Sequence, residues 1–339
     1  MTRRLSVIIP THNRRERIHR CLDALEQQTL PAQNFEVVII DDGSTDGTAE
    51  GVEGRSTSFA LTVLRQSNRG PGAARNRALE RPTAPLLLVI NDDTLLAEDA
   101  LARHLAFHEQ QPTGSRKILL GNFRILPAYT ADLFTSAVDS TTFMFPFCRL
   151  TTRTLLDYSY FITCNTSLPR VAFDDAGFFD ENFPKPAGED IEMGYRLYQA
   201  GWRIEYHADL MSWHDSLFTP ASYARARFIR GEEDLRFLNK HPEQIRVYQR
   251  HAMAFTKSHE VRLRDNWDDY GAYIQSCVAL TERHIAEHQA ADSPAYRYRA
   301  LHALIGDIES VGYLAYAHGA GKSPSFTRVM DNIYPQAVF

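Results

Sequence analysis

The chain has 339 residues, of which 44% are hydrophobic and 23% are charged. This composition is typical of a globular protein and excludes a fibrous or disordered one. At roughly 100–200 residues per domain, the length predicts two domains, or one domain with a large appendage. The formal net charge of −5 disfavours a general nucleic-acid-binding protein, because such proteins need a basic face to displace counterions.

The cysteines and the apolar runs predict a cytoplasmic protein. The four cysteines stand alone in the sequence, which disfavours a zinc ribbon or a redox pair and is typical of a reducing compartment. The longest aliphatic run near the front, Leu86 to Ile90, is far shorter than the ~20 residues of a membrane helix. The N-terminal apolar run is too short for a secretory signal.

The first part of the chain alternates strand and helix patterns. Apolar, β-branched runs predict four strands, at residues 6–9, 35–40, 61–64 and 86–90. Helices are predicted between them, one of them opened by Gly70-Pro71-Gly72, and Thr94 is expected to cap a helix with Glu98 and Asp99 in its first turn. This alternation predicts an α/β fold with a doubly wound, mostly parallel sheet.

After about residue 115 the alternation loosens. Strands are predicted over residues 117–125, 203–207 and 211–214, and a helix over 189–200, stopped by Gly201. The segment 127–160 is aromatic-rich and irregular. From Thr219-Pro220 onward the pattern is helical, since threonine is a good N-cap and proline suits the first turn. The predicted helices of this tail cover residues 220–239, 268–290 and 295–318.

Polar residues follow three of the first four strands, as Pro10-Thr11-His12-Asn13, Asp41-Asp42-Gly43-Ser44 and Asn91-Asp92-Asp93. Ligands of open parallel sheets bind at the carboxyl ends of the strands. Paired carboxylates suit Mg²⁺ or Mn²⁺, which bridge protein carboxylates and substrate phosphates. A simple turn would explain one such segment, but two carboxylate pairs at successive strand ends favour a site.

Two common nucleotide motifs are missing from the sequence. No G-x-G-x-x-G follows the first strand, and no Walker lysine motif occurs, which disfavours a dinucleotide dehydrogenase and a P-loop enzyme. Gly70-Pro71-Gly72 is only a weak signal for a phosphate-binding turn.

Five segments, in this order, resemble the family 2 glycosyltransferases of the GT-A fold, and the resemblance covers about residues 5–216. The segments are Ser6–Arg14, Val38–Asp46, Gly70–Asn76, Asn91–Asp93, and Gly177–Phe183 followed by Gly188–Leu197. The resemblance implies transfer of a sugar from a nucleotide-sugar donor with inversion at the anomeric carbon.

The resemblance also implies roles for residues at the donor. Pro10 and Thr11 match the loop that touches the nucleoside, and Asp42 matches the acid that hydrogen-bonds the base. Asp92 and Asp93 match the DxD region, in which Asp93 is the expected ligand of a divalent metal, Mn²⁺ or Mg²⁺, on the diphosphate. This chain has Asn91 where the family often has aspartate.

Further roles follow from the same resemblance. Asp190, supported by Glu189, is the expected catalytic base at a helix start. His214 is expected to be a further metal ligand. Arg75 is a candidate for contact with the diphosphate or sugar, although a solvated helix arginine fits as well.

Other polar residues carry weaker expectations. Asn165 and Ser167 are candidates for the lining of the donor-sugar pocket. Lone histidines are more often core or surface residues than ligands, and His12, His104 and His108 keep that interpretation.

The predicted organisation is a catalytic domain over residues 1–218 and a helical extension over 219–339. Within the domain, residues 1–115 form the nucleotide-binding half and 116–218 the acceptor half. The expected donor is a UDP-sugar and the acceptor a carbohydrate or glycoconjugate. The tail is a candidate for contact with the acceptor, a membrane surface or a second subunit, and a stability appendage is equally consistent with its pattern.

Two alternatives stay open. One is a nucleotidyltransferase that makes a nucleotide-sugar, although it should have a glycine-rich loop after the first strand. The other is a non-catalytic module that binds sugar nucleotides.

Overall fold

The computed structural model describes residues 3–81, 84–140, 147, 150–244 and 267–288. These residues fall into two compact units. The first contains the described residues up to Leu126, Phe147 and residues 150–216. The second contains residues 127–140, 217–244 and 267–288. The predicted boundary between 218 and 219, and the division of the first domain near 115, stay predictions.

The first unit is built on one nine-stranded sheet. Its strands are β1 Leu5–Thr11, β2 Phe35–Asp42, β3 Ala60–Gln66, β4 Leu86–Val89, β5 Thr94–Leu96, β6 Lys117–Ile125, β7 Thr154–Leu156, β8 Thr166–Pro169 and β9 Arg203–His214. The order across the sheet is β3-β2-β1-β4-β8-β6-β9-β5, and β7 pairs with β9.

The first four strands in this order pair in parallel, as the alternating pattern predicts. β8 then runs antiparallel to both β4 and β6, while β6 and β9 are again parallel. The parallel register pairs Leu5 with Phe35 and Thr11 with Asp41, so β1 and β2 end at the same edge. The predicted α/β class with a mostly parallel sheet is confirmed.

Helices cover both faces of the parallel part. The helices of this unit are α1 Arg15–Glu26, α2 Thr48–Glu53, α3 Pro71–Leu79, α4 Ala100–Glu109, α6 Val171–Ala176 and α7 Glu189–Gln199. Alternate residues of β1 point to opposite faces, so Val7 packs in the cluster that holds Ile18 of α1. Ile8 packs on the other face with Ala74 and Ala78 of α3. This packing fixes the edge where the strands end.

Two predicted elements differ from the structure. Thr94 does not cap a helix: it begins the short strand β5, because it pairs with His214 of β9, and α4 starts at Ala100 after Asp99. The two strands predicted over 203–207 and 211–214 form the single strand β9. A register shift in the pairing with β6, at Gly121 and Asn122, absorbs the interruption between them.

The second unit contains α5 Leu133–Asp139, α8 Pro220–Lys240 and α9 Trp267–His288. Thr219 caps α8 through a capping box with Ser222, and Pro220 occupies the first turn, which confirms the predicted start. The helix predicted over 268–290 is present as α9, and the one predicted over 295–318 lies outside the described residues. Among the described helices, none is both long and apolar enough to cross a membrane.

Two histidines of α4, the buried His104 and the half-buried His108, contact the same serine. His104 and His108 both bond the hydroxyl of Ser167, at 2.8 and 2.9 Å, and His104 also bonds Asn165 Oδ1 at 2.9 Å. Burial lowers the pKa of His104 to about 3 and that of His108 to about 4. Both are therefore neutral in the folded protein, which confirms that they act as core residues.

We expect the free energy of unfolding to fall as pH drops from about 6.5 to about 4. In this window the unfolded chain, with histidine pKa values near 6.5, binds protons that the folded protein does not. His108→Gln should flatten the dependence by about 1.4 kcal/mol per pH unit, measured by urea unfolding. Above pH 7.5 the slope of the free energy of unfolding against pH should be the same for wild type and for the variant. Equal slopes for the two proteins below pH 6.5 would contradict this expectation.

Candidate active site

The ends of β1 and β4 meet through one hydrogen bond. Asp92 follows the buried apolar strand β4, and its Oδ2 accepts from the Thr11 hydroxyl at the end of β1, at 2.7 Å. Both side chains are buried. Pro10, the residue before Thr11, is half-buried at the same strand end. The two predicted nucleoside-loop residues and Asp92 therefore lie together.

Asp93 and His214 face each other beside this cluster. Their side chains are 11% and 9% exposed, and His214 Nε2 lies 3.1 Å from Asp93 Oδ2. The pairing of Thr94 with His214 brings them together, and the Asp215 amide donates to the Asp93 carbonyl at 2.8 Å. The two residues expected to bind a metal are adjacent in space, although 121 positions separate them.

The pKa values of the neighbouring carboxyl groups of Asp92 and Asp93 are shifted in opposite directions. Burial and the negative charge of Asp93 raise the pKa of Asp92. Burial also disfavours ionised Asp93, but the charge and hydrogen bond of His214 outweigh it, so the pKa of Asp93 is lowered. The site therefore concentrates its negative charge on Asp93.

The residues present fit a divalent cation that arrives with a phosphate ligand. The buried Oδ1 of Asp93 has no hydrogen-bond partner among the described residues, and the imidazole of His214 adds a nitrogen donor. No group of three or more His, Cys, Asp or Glu side chains that could hold a metal occurs within the described ranges. Mg²⁺ usually takes one or two carboxylates and completes its shell with water and substrate phosphates, which matches this incomplete set.

Two arginines that the sequence analysis did not single out lie near these carboxylates. Arg17 Nη1 is 3.9 Å from Asp93 Oδ2. The charge of Arg14 lowers the pKa of both Asp92 and Asp93, and its buried Nη1 has no hydrogen-bond partner in the part of the chain that the structure describes. Their position directly after the first polar strand end was the available signal. Guanidinium groups suit phosphate oxygens, so this pair provides the positive charge that a diphosphate needs.

Asp42 holds the loop before α3. Its Oδ1 accepts from the Gln66 amide and the Arg69 N–H, at 2.8 and 2.9 Å, and its Oδ2 accepts from the Gly70 N–H at 2.8 Å. Gly70 has φ +91°, and a Cβ there would lie 2.3 Å from the Pro184 carbonyl oxygen. Close backbone contact therefore explains the glycine without a phosphate.

Arg75 and Glu189 form a buried ion pair. Arg75 Nη1 lies 2.8 Å from Glu189 Oε1, and Arg75 Nη2 donates to Asn91 Oδ1 at 3.2 Å. The second oxygen of Glu189 accepts from the Ala187 N–H at 3.1 Å. Arg75 is thus neither a solvated helix arginine nor an isolated cation: it joins α7 to the segment that carries Asp92.

Asp190 is half-buried in the first turn of α7, and its Oδ1 accepts from the Ile191 N–H at 2.8 Å. Burial raises the pKa of the Cys164 thiol, and the charges of Asp190 and Asp93 raise it further. Both carboxylates therefore act on one buried sulfur, which places the expected base and the expected metal ligand in the same part of the unit.

Asn165 and Ser167 are fully buried. Asn165 bonds His104 and donates to the carbonyls of Asn122 and Leu210, both at 3.2 Å. These contacts account for Asn165 and Ser167 as core residues, where the sequence suggested a lining of the sugar pocket.

Comparison with family models decides the classification. The model "Glycosyl transferase family 2" matches residues 6–158. The model "Glycosyl transferase family group 2" matches residues 86–263, just over half of the chain. The chain belongs to the family 2 glycosyltransferases. Asp92 and Asp93 lie inside both matched ranges.

The curated relatives are also named glycosyltransferases. A glycosyltransferase of Bacillus subtilis named YfnE is 29% identical over 254 residues, which are 62% of this chain and 64% of the relative. Validoxylamine A glucosyltransferase of Streptomyces hygroscopicus is 32% identical over 219 residues, or 58% and 52% of the two chains. The matched part of this chain thus spans between half and two thirds of the length of each of these relatives.

Solved structures share the fold. Residues 1–349 of TarS from S. aureus superpose with a TM-score of 0.55 at 21% identity, covering 93% of this chain and 92% of that one. The mannosyltransferase PcManGT from Pyrobaculum calidifontis, solved with GDP-Man and Mn²⁺, superposes with a TM-score of 0.55 at 19% identity. This match covers 99% of this chain and 89% of that one. At this identity the likeness shows a GT-A-like fold alone.

Proposed function

We propose that this chain transfers a sugar from a nucleoside-diphosphate sugar to a hydroxyl of a carbohydrate or glycoconjugate, with inversion at the anomeric carbon. The observation that carries the proposal is the convergence of Thr11, Asp92, Asp93 and His214 at the strand ends. The charges of Asp93 and the half-buried Asp190 both raise the pKa of the buried Cys164 thiol. Family membership and the names of the relatives support it over a nucleotidyltransferase.

The donor binds at the strand ends in this proposal. Pro10 and Thr11 contact the nucleoside, and Asp42 contacts the base from the end of β2 while it holds the loop before α3. The diphosphate lies against Asp93, Arg14 and Arg17. A UDP-sugar is the expected donor, and TarS has been solved with UDP whereas PcManGT has been solved with GDP-Man.

Asp93 and His214 would hold Mn²⁺ or Mg²⁺. The unpartnered Asp93 oxygen supports this assignment. A divalent cation bound there neutralises the charge that develops on the leaving diphosphate. Asp92 stays hydrogen-bonded to Thr11 and shapes the donor side of the site.

Asp190 acts as the base on the acceptor side. Inverting transfer is a single displacement, so the acceptor oxygen approaches opposite the leaving diphosphate and gives up its proton to a carboxylate within hydrogen-bond reach. The first turn of α7 stabilises the negative charge through the helix dipole, and the Ile191 N–H bonds one carboxylate oxygen. The carboxylate of Asp190 then takes the proton of the acceptor hydroxyl.

We place the reaction in the cytoplasm. The buried, unpaired thiols of Cys21 and Cys164 support a reducing compartment.

Release of free nucleotide from nucleotide-sugars tests the proposal. With Mn²⁺, the chain should hydrolyse one donor in a panel of UDP-glucose, UDP-N-acetylglucosamine and GDP-mannose, because water can replace the missing acceptor slowly. The same donor should raise the melting temperature through mass action. Binding without hydrolysis or transfer would indicate the non-catalytic module. If the chain neither bound nor hydrolysed any of these donors, the proposal would be overturned.

A further inference from the structure

The Arg75–Glu189 ion pair lies between the two halves of the proposed chemistry. Arg75 extends from α3, and Glu189 opens α7 immediately before Asp190. Their side chains are 3% and 4% exposed, and the charged atoms are 2.8 Å apart. The guanidinium also lies 5.5 Å from the centre of the Phe179 ring, which completes its burial.

The second contact of Arg75 reaches the donor side. Its Nη2 donates to Asn91 Oδ1 at 3.2 Å, and Asn91 directly precedes Asp92 and Asp93. One rigid guanidinium fork therefore binds both the start of the helix that carries the expected base and the segment that carries the expected metal ligand. A lysine ammonium has three rotatable N–H donors but lacks the planar fork, so it would not fix the direction of both contacts.

Stability does not explain this arrangement. Taking two charges out of water is costly, and replacing a buried ion pair by apolar residues of similar volume is often neutral or stabilising. The pair is nonetheless fully enclosed, and Glu189 also accepts the Ala187 N–H at 3.1 Å. What the pair provides over an apolar contact is a fixed direction and distance between α7 and the strand-end segment.

We infer that the buried Arg75–Glu189 pair is a positioning device that fixes Asp190 relative to Asp92 and Asp93. This inference rests on the proposed function. Transfer needs the acceptor oxygen and the leaving diphosphate in line, and a displacement of about 1 Å can cost about 10²-fold in rate. Glu189 is thus a positioning residue for the base, and Arg75 acts through Asn91 and Glu189 and not on the diphosphate.

The test compares the variants Arg75→Met and Glu189→Met with the double variant. Each single variant leaves one buried charge unpaired, so the melting temperature should fall. In the double variant it should return toward the wild-type value. The kcat for hydrolysis of the best donor from the panel should stay about 10–100-fold below wild type in the double variant, while the donor KM changes less than about threefold.

A neighbouring ion pair of α7 supplies the matched control. Glu192 is fully buried and bonds Arg196 within the same helix at 2.8–3.0 Å. The double variant Glu192→Met with Arg196→Met removes a comparable pair that does not reach Asn91, so its kcat should stay near the wild-type value.

A folded Arg75→Met, Glu189→Met double variant with wild-type kcat would overturn the positioning role and leave the proposed function intact. A donor KM raised at least tenfold at unchanged kcat would overturn it too, in favour of a direct contact between Arg75 and the donor. If the wild-type protein hydrolyses no donor, the proposed function itself fails.

Discussion

Replacing Asp93 by alanine should abolish metal-dependent binding of nucleoside diphosphate and lower donor hydrolysis by at least about 10²-fold, since a metal supplies several kcal/mol of charge stabilisation. The pKa of Asp93 is lowered, and one of its buried oxygens has no hydrogen-bond partner within the described ranges. Calorimetric titration of UDP, with Mn²⁺ and with EDTA, measures the binding, and nucleotide release measures the rate.

The variant His214→Ala should weaken metal binding in the same way as Asp93→Ala, but to a smaller extent. Its apparent affinity for Mn²⁺ should fall less than that of Asp93→Ala, because Asp93 and the diphosphate oxygens remain. Asp209→Ala serves as a control, since this exposed acid pairs with Arg103 away from the strand ends. Full activity of wild type in EDTA, together with wild-type behaviour of Asp93→Ala, would rule out the metal role.

Asp190→Asn should keep the fold and the affinity for nucleotide but lower turnover by about 10²–10⁴-fold, the usual effect of removing a general base. Asparagine has nearly the same shape and can still accept the Ile191 N–H, but it cannot take a proton from the acceptor. Nucleotide release gives the turnover, and titration of UDP gives the affinity.

The companion variant Glu189→Gln separates the two carboxylates. It keeps a hydrogen-bond acceptor for Arg75, so turnover should fall less than in Asp190→Asn. An inactive Glu189→Gln beside a fully active Asp190→Asn would reverse the assignment within the pair. Full activity of both variants would place the base elsewhere.

Local sequence patterns predicted most of the strands and helices of the fold. Apolar runs predicted β1, β2, β4 and β6 because buried parallel strands need no polar face, and the Thr219-Pro220 cap predicted the start of α8. The error at Thr94 has a non-local cause. Its strand forms through pairing with His214, a partner 120 positions away that no local signal indicates.

The sequence predicted which residues belong to the candidate site, but not which of them form ion pairs with one another. The resemblance indicated Asp92, Asp93 and His214, and the strand topology brings them together. It also offered Arg75 as a ligand of the donor, whereas the structure pairs Arg75 with Glu189. A sequence shows which charges exist, but which of them neutralise one another depends on how α3 and α7 pack. Arg14 and Arg17 were overlooked, although their position directly after the first polar strand end was an available signal.

Anomalous scattering from Mn²⁺ in crystals of the protein with UDP would locate both the metal and the nucleotide. We expect one strong peak at the strand ends, within about 2.5 Å of an Asp93 carboxylate oxygen and of the diphosphate, with Thr11 beside the nucleoside. A nucleotide bound away from the ends of β1 and β4, or a metal held without Asp93, would contradict this prediction.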